Sequence, residues 1–290
     1  MAATARYEVL EVRSIPRRSE LSQAEFVARY LKPLKPVVIT DAITAWRALK
    51  EWTPEFFRAR YGSREVSIDN QVYKLAPLMD LISNSNEHRP APYLRNEVIE
   101  RFAPELEEDI SPRLGYALPN WLDGPLSWKL HGRFDRGLPQ LYLGGKGAAF
   151  PFVHHDVGHT HAFLSQIYGH KAFVLYAPDQ AEFLYPTANF RNISSIDDLD
   201  HPNLDKYPLF PRALRHDLIL DPGETIFIPG GWWHTTKLLD LSITVSVNIA
   251  NSSNWSQFSR DYSEGASKLG KLKLRTYLAG LRLARSLTRS

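Results

Sequence analysis

Apolar and polar positions change rhythm near residue 140. Before it, helix signals dominate. Ser22-Gln-Ala-Glu25 spells a capping box, and Phe26, Tyr30 and Leu31 follow at helical spacing. A helix is expected there that ends before Pro33 and Pro36. Residues 37–40 form a short β-rich run. Thr53-Pro54-Glu55 predicts another helix, with Thr as its cap and Pro at its first position. Residues 67–72 alternate like a weak strand, residues 76–82 read as a short helix, and Pro92-Tyr93-Leu94 as a strand edge. The acidic run at 105–109 is expected to be a solvated face.

After residue 140, short β-rich runs follow one another at 141–143, 152–155, 163–168, 172–176, 225–228 and 242–249, broken by Gly and Pro. That density predicts a sandwich or barrel. Asp221-Pro-Gly-Glu224 and Pro229-Gly230-Gly231 are turns. In the run 242–249, Ser242, Thr244, Ser246 and Asn248 take one face and Ile243, Val245, Val247 and Ile249 the other. The polar face either meets solvent or lines the cavity of a small barrel. Beyond Asn254 the strands stop, and residues 255–289 read as one or two helices. Their charged residues from Lys268 onward are all basic: Lys268, Lys271, Lys273, Arg275, Arg282, Arg285 and Arg289. Leu274, Leu278 and Leu281 recur at spacings of three and four. A packing or dimerisation helix with a basic solvent face is the expectation, ahead of a nucleic-acid or membrane contact.

Composition narrows the chemistry. The chain has 290 residues, 43% hydrophobic and 23% charged, enough to bury a substantial core. The absence of cysteine removes disulfides, thiolate zinc sites, iron–sulfur clusters and a Cys nucleophile. Any metal must be held by His, Asp or Glu. A net charge of +3 gives no argument for a nucleic-acid partner, although the basic tail leaves one open. The N-terminus lacks the apolar core of a signal peptide, and no apolar run approaches the roughly 20 residues that span a bilayer. A soluble, cytoplasmic protein is expected.

The candidate chemistry sits at His154-His155-Asp156. On a strand, His154 and Asp156 share a face while His155 points away. A His and a carboxylate side by side supply part of a metal site, and His234, after the rigid Pro-Gly-Gly turn, is the candidate third ligand. Two His and one carboxylate on one face of a metal, with open positions opposite, form the facial triad of non-haem Fe(II) oxygenases.

The ordered motifs carry a family resemblance over most of residues 10–250. They are Lys35-Pro-Val-Val-Ile-Thr40 with Trp46 and Trp52, His154-x-Asp156, Ser165-Gln-Ile-Tyr-Gly-His-Lys171, Ala177-Pro-Asp-Gln180, Leu184-Tyr-Pro186, and Pro222-Gly-Glu-x-x-Phe-Ile-Pro-x-x-Trp-Trp-His234. The strand ending at Asn248 completes them. The chain resembles JmjC-type, cupin-like dioxygenases dependent on Fe(II) and 2-oxoglutarate. It is similar in particular to the hydroxylase branch that includes the asparaginyl hydroxylase of hypoxia-inducible factor. The resemblance implies a mostly β fold: a double-stranded β-helix (jelly-roll) core with N-terminal α/β elements and C-terminal helices. The catalytic domain would span 1–253, with a barrel core at about 140–250 and an α/β part at about 1–139. A C-terminal helical segment, 254–290, would support a homodimer.

The resemblance further implies His154, Asp156 and His234 as iron ligands, Lys171 as the cosubstrate lysine, and Tyr93, Ser246 and Asn248 in the cosubstrate pocket. Fe(II), 2-oxoglutarate and O2 would be required. In the family a Thr often stands three residues before the first ligand; here Pro151 stands there, or Phe150 if the loop is shifted, and neither can donate a hydrogen bond. His159, His161 and His170 are assigned to the pocket rim or to structure. The implied activity is hydroxylation of a protein or peptide side chain, favoured over demethylation because Asp fills the second ligand position. The alternatives are a hydroxylase of a small molecule or tRNA base, a non-catalytic cupin-like binding protein, and an isomerase on a cupin site. No membrane partner is implied.

Overall fold

Two β-sheets face each other, and their register brings the candidate residues to one cavity. The computed structural model describes residues 13–123, 137–264 and 267–287. In chain order the elements are β1 (Arg13–Ser14), β2 (Arg17–Arg18), α1 (Gln23–Phe26), β3 (Val37–Ile39), α2 (Ala48–Glu51), α3 (Pro54–Tyr61), β4 (Glu65–Ile68), β5 (Gln71–Lys74), α4 (Leu75–Ser83), β6 (Leu94–Val98) and α5 (Ile99–Phe102). There follow β7 (Gln140–Gly144), β8 (His161–Tyr168), β9 (Lys171–Tyr176), β10 (His216–Leu220), β11 (Thr225–Ile228), β12 (Trp233–Leu238), β13 (Ser242–Ile249), α6 (Trp255–Ser263) and α7 (Lys268–Leu287). The larger sheet runs β2-β3-β11-β8-β13-β7-β6 and the smaller β1-β10-β9-β12, with β4 and β5 a separate hairpin. This is a jelly-roll core with flanking helices.

The larger sheet is buried on both faces, which explains its apolar richness. One face turns Phe163, Ile167, Phe227, Ile243 and Val245 toward Phe26, Trp52 and Phe57 of the N-terminal helices. The other turns Ala162, Leu164, Ile226 and Ile228 toward Phe173, Leu175, Leu218 and Leu220 of the smaller sheet. The polar face of β13 therefore points inward. Ser242 and Thr244 bond Gln166, at 2.8 Å each, while Ser246 and Asn248 line the cavity.

The helix starts follow the capping chemistry. Ser22 Oγ accepts from the Glu25 amide at 3.2 Å, and Thr53 Oγ1 from the Phe56 amide at 3.1 Å. Beyond Phe26 the first helix continues as a π-helical turn, Val27–Leu31, ending before Pro33.

Other expectations are corrected. The alternation at 67–72 is a hairpin and not a single strand, because Asp69 and Asn70 both take positive φ, which suits Asn and Asp in a tight turn. The acidic run is not wholly solvated: Asp109 is buried and accepts the Trp52 indole N–H at 2.9 Å. The run 152–155 pairs only through isolated bridges at His154. Pro151 has no amide hydrogen to extend the ladder, and Gly158 and His159, both at positive φ, turn the chain away. The stripe of Leu274, Leu278 and Leu281 is covered within the chain, against Trp121, Trp255, Phe258 and Tyr262. Among the described side chains, the exposed leucines of α7 are Leu269, Leu272 and Leu283. Arg289 lies outside the described residues. Among the described residues no helix is long and apolar enough to cross a membrane.

Candidate active site

A cavity of about 250 Å³ lies between the sheets. From β8 and β13 come Ala162, Leu164, Ser246 and Asn248; from β9 and β12 come Lys171, His234 and Thr236. β12 pairs antiparallel with β9 so that His234 lies opposite Leu175 and Leu238 opposite Lys171. Inward positions recur every second residue, so His234 and Thr236 share a face with Phe173 and Lys171. Lys171 is four residues from Leu175, about 13 Å along the strand.

Backbone pairing fixes the first candidate ligand against the third. The His154 amide donates to the His234 carbonyl at 3.0 Å, and the His234 amide returns the bond at 2.7 Å. The two rings lie 4.5 Å apart. Candidate ligand atoms of His154, Asp156 and His234 lie within 4.8 Å of one another, and the residues are only 6–9% exposed. Nδ1 of His234 faces the Trp232 carbonyl at 3.0 Å, and Nδ1 of His154 faces the Phe152 carbonyl at 3.4 Å. A ring nitrogen facing a carbonyl carries the proton, which leaves each Nε2 lone pair for a metal. Two imidazoles and a carboxylate are a donor set suited to a first-row divalent ion. His155 turns the other way, into an outer groove with His159 and Trp233.

At the opposite end, Lys171 is fully buried and donates to the Tyr93 hydroxyl at 3.1 Å. No carboxylate pairs with it among the described residues. Burial alone pushes its amine down to about 7. Burial raises the Tyr93 phenol far above its ordinary value, against a hydrogen bond with Thr236 that lowers it. The Tyr142 hydroxyl donates to Asn96 Oδ1 at 2.5 Å, and Asn248 donates to Thr160 Oγ1 at 3.1 Å.

Phe150, near the expected Thr position, stacks on the His154 ring at 4.2 Å and 16°, with the Arg95 guanidinium 5.3 Å from its centre on another approach. The position thus serves ring packing. A further hydroxyl on the cavity wall is that of Thr236. Its signal was available, since it stands two residues after His234 and so shares its face.

His161, His159 and His170 take structural places. His161 Nδ1 accepts from the Gly230 amide at 2.9 Å while Nε2 meets Ser253 Oγ at 2.8 Å; burial lowers this imidazole to about 3, so it is neutral. His159 Nδ1 meets Asp261 of α6, and its carbonyl accepts from Asn254 at 2.9 Å. A Cβ at Gly230 would stand 2.1 Å from the His159 carbonyl oxygen, so only glycine fits there. His170 is half-exposed and pairs with Asp240 at 2.6 Å. Asp261, Asn254 and Asn96 had no local motif to reveal them.

Comparison with known proteins gives a consistent set of relatives. The family described as a Cupin-like domain matches residues 22–261. Lysine-specific demethylase 8 of Xenopus tropicalis is 31% identical over 246 residues, covering 80% of this chain and 52% of that protein. tRNA wybutosine-synthesizing protein 5 of Mus musculus is 26% identical over 253 residues, covering 80% and 76%. Arginine-specific demethylase JMJ20 of Arabidopsis thaliana is 25% identical over 281 residues, covering 84% and 59%. The chain thus spans about half the length of the first and over half that of the third.

Proposed function

The chain belongs to the cupin-like, JmjC-type family, and from that premise we propose that it is an Fe(II)- and 2-oxoglutarate-dependent oxygenase that hydroxylates a protein or peptide side chain. One observation carries the reading: a compact His154, Asp156 and His234 cluster and a buried, carboxylate-free Lys171 occupy the two ends of one cavity. The first suits a metal with open positions. The second suits the distal carboxylate of a small dicarboxylate, which would restore the amine's charge. Bound iron and 2-oxoglutarate supply, with O2, an oxidising centre that couples cosubstrate decarboxylation to C–H hydroxylation.

The chain's own residues do the positioning. His154, Asp156 and His234 hold the metal on one side. Lys171 and Tyr93 anchor the cosubstrate, Thr236 offers the hydroxyl that Pro151 cannot, and Ser246 and Asn248 shape the inner wall. Phe150 and Phe152 pack against His154 and keep water from that ring. Relatives named as lysine- and arginine-specific demethylases support a protein substrate, while the tRNA wybutosine-synthesizing relative keeps a nucleic-acid base as the second reading. The exposed leucines of α7 support a homodimer.

The test is succinate release by the iron-loaded protein under O2, with peptide and tRNA pools as candidate substrates. Succinate formation that rises with a peptide, together with a peptide mass gain of one oxygen, supports the reading. Metal binding with no 2-oxoglutarate turnover would instead favour a non-catalytic binding protein.

A further inference from the structure

A second cavity, of about 330 Å³, opens between α6 and α7, and it shares no lining residue with the candidate active site. Three guanidiniums line it: Arg260 from α6, and Arg275 and Arg282 from α7. All three residues are exposed, and none of the three guanidiniums makes an ion pair or hydrogen bond among the described residues. Elsewhere in the chain, arginines such as Arg17, Arg47, Arg58 and Arg215 take carboxylate partners. No acidic residue follows Glu264, so α7 has no counter-charge of its own. Uncompensated like charges facing one groove raise its potential and draw an anion.

The pattern selects the kind of anion. Arg275 and Arg282 are seven residues apart, which places them on one face about 10.5 Å apart. Lys268 stands seven residues before Arg275, and the stripe thus extends for about 21 Å along the helix. A single phosphate or carboxylate would satisfy one end of such a row. A chain of regularly spaced phosphates would meet all of it. Trp255 forms the floor, but it is buried against Trp121 and Phe258, so the groove presents charge and no open ring face. Ser259 Oγ, on the same wall, is buried without a hydrogen-bond partner.

We propose that the α6–α7 groove binds the phosphodiester backbone of a nucleic acid, with Arg260, Arg275 and Arg282 as its phosphate contacts. The proposal stands apart from the oxygenase reading, since it uses none of the cavity residues and needs no metal.

The test is fluorescence anisotropy of a labelled 20-nucleotide RNA on the full chain across salt concentrations. Three contacts predict a log–log salt slope of about −2 for a single strand. The triple variant Arg260→Gln, Arg275→Gln, Arg282→Gln should weaken binding at least tenfold and flatten that slope. A charge-matched control, Lys32→Gln with Lys50→Gln and Lys74→Gln on the exposed N-terminal part, should bind like the unaltered chain. Circular dichroism would confirm that the triple variant keeps its helices. The proposal is overturned if RNA does not bind saturably, if triple variant and control bind alike, or if a phosphopeptide of equal charge competes as well as RNA.

Discussion

His159 Nδ1 lies 2.5 Å from Asp261 Oδ2, joining the loop after Asp156 to helix α6 across 102 residues. His159 sits at φ 47°, a left-handed conformation that costs a non-glycine residue of order 1–3 kcal/mol. Its amide donates to the Asp156 carbonyl at 3.1 Å, and Asn254 holds its own carbonyl. The C-terminal helix and the residue before it thus reach the loop after Asp156 through two bonds, and the third, within the loop, carries on to Asp156. Removing the carboxylate in Asp261→Ala should let the loop relax and weaken Mn(II) binding about tenfold, with a loss of about 1.4 kcal/mol. Asp261→Glu should recover much of it. Mn(II) titration by electron paramagnetic resonance checks this; equal affinities in all three proteins would confine the pair to fold stability.

His234→Ala should abolish stoichiometric binding of Fe(II), Mn(II) or Co(II). The cluster retains only one imidazole and one carboxylate, too few donors for a tight site. Elemental analysis after dialysis reads the outcome, and undiminished occupancy would refute the assignment.

Lys171→Ala should leave metal content intact and weaken 2-oxoglutarate binding by ten- to a hundredfold. A charge-assisted hydrogen bond is worth about 1.5–3 kcal/mol. Thr236→Val, which keeps shape but removes the hydroxyl, should weaken binding by about threefold to tenfold, given roughly 0.5–1.5 kcal/mol for a neutral bond. Calorimetric titration separates the two.

The same lysine gives a pH signature. Burial holds its amine at about 7 in the folded chain, against an ordinary value of 10.5. Between those values the unfolded chain binds more protons, so the stability of the ligand-free protein should rise with pH across the window. Below about 7 both states are protonated and the contribution levels off. Urea denaturation from pH 7 to 9.5 measures the slope, and Lys171→Met should flatten it. An identical slope in that variant would assign the effect to other groups.

Light scattering should find a dimer at micromolar concentration, and Leu269→Glu with Leu272→Glu should convert it to monomer. These side chains are 63% and 64% exposed on the face of α7 away from its packed leucines. A monomer at full length would leave that face to solvent.

Much of this organisation was legible in the residues themselves. Caps at Ser22 and Thr53 mark their helices because hydroxyl–amide bonds are local. The alternation along 242–249 marks β13, yet its polar face resembles a solvated one until β8 and β9 are placed around it. β10 and β12 were missed: His216 to Leu220 and Trp233 to Leu238 mix polar and apolar residues, and only pairing with β9 makes them strands. Asp261 lay beyond reach for the same reason. A carboxylate on an amphipathic helix looks solvated, and its meaning comes from the tertiary contact with His159. The candidate metal cluster stands out because His154 and Asp156 are near neighbours in sequence and His234 follows a Pro-Gly-Gly turn.

The reciprocal backbone bonds between His154 and His234 have a kinetic consequence. Main-chain groups make them, so the backbone, and not the side chains that would bind an ion, ties the two residues together. Loading of a metal at this cluster should then require no folding event, only displacement of water from the incoming ion. The uptake rate should follow the ion's own water-exchange rate, slower for Ni(II) than for Mn(II), with no common slow phase shared by both.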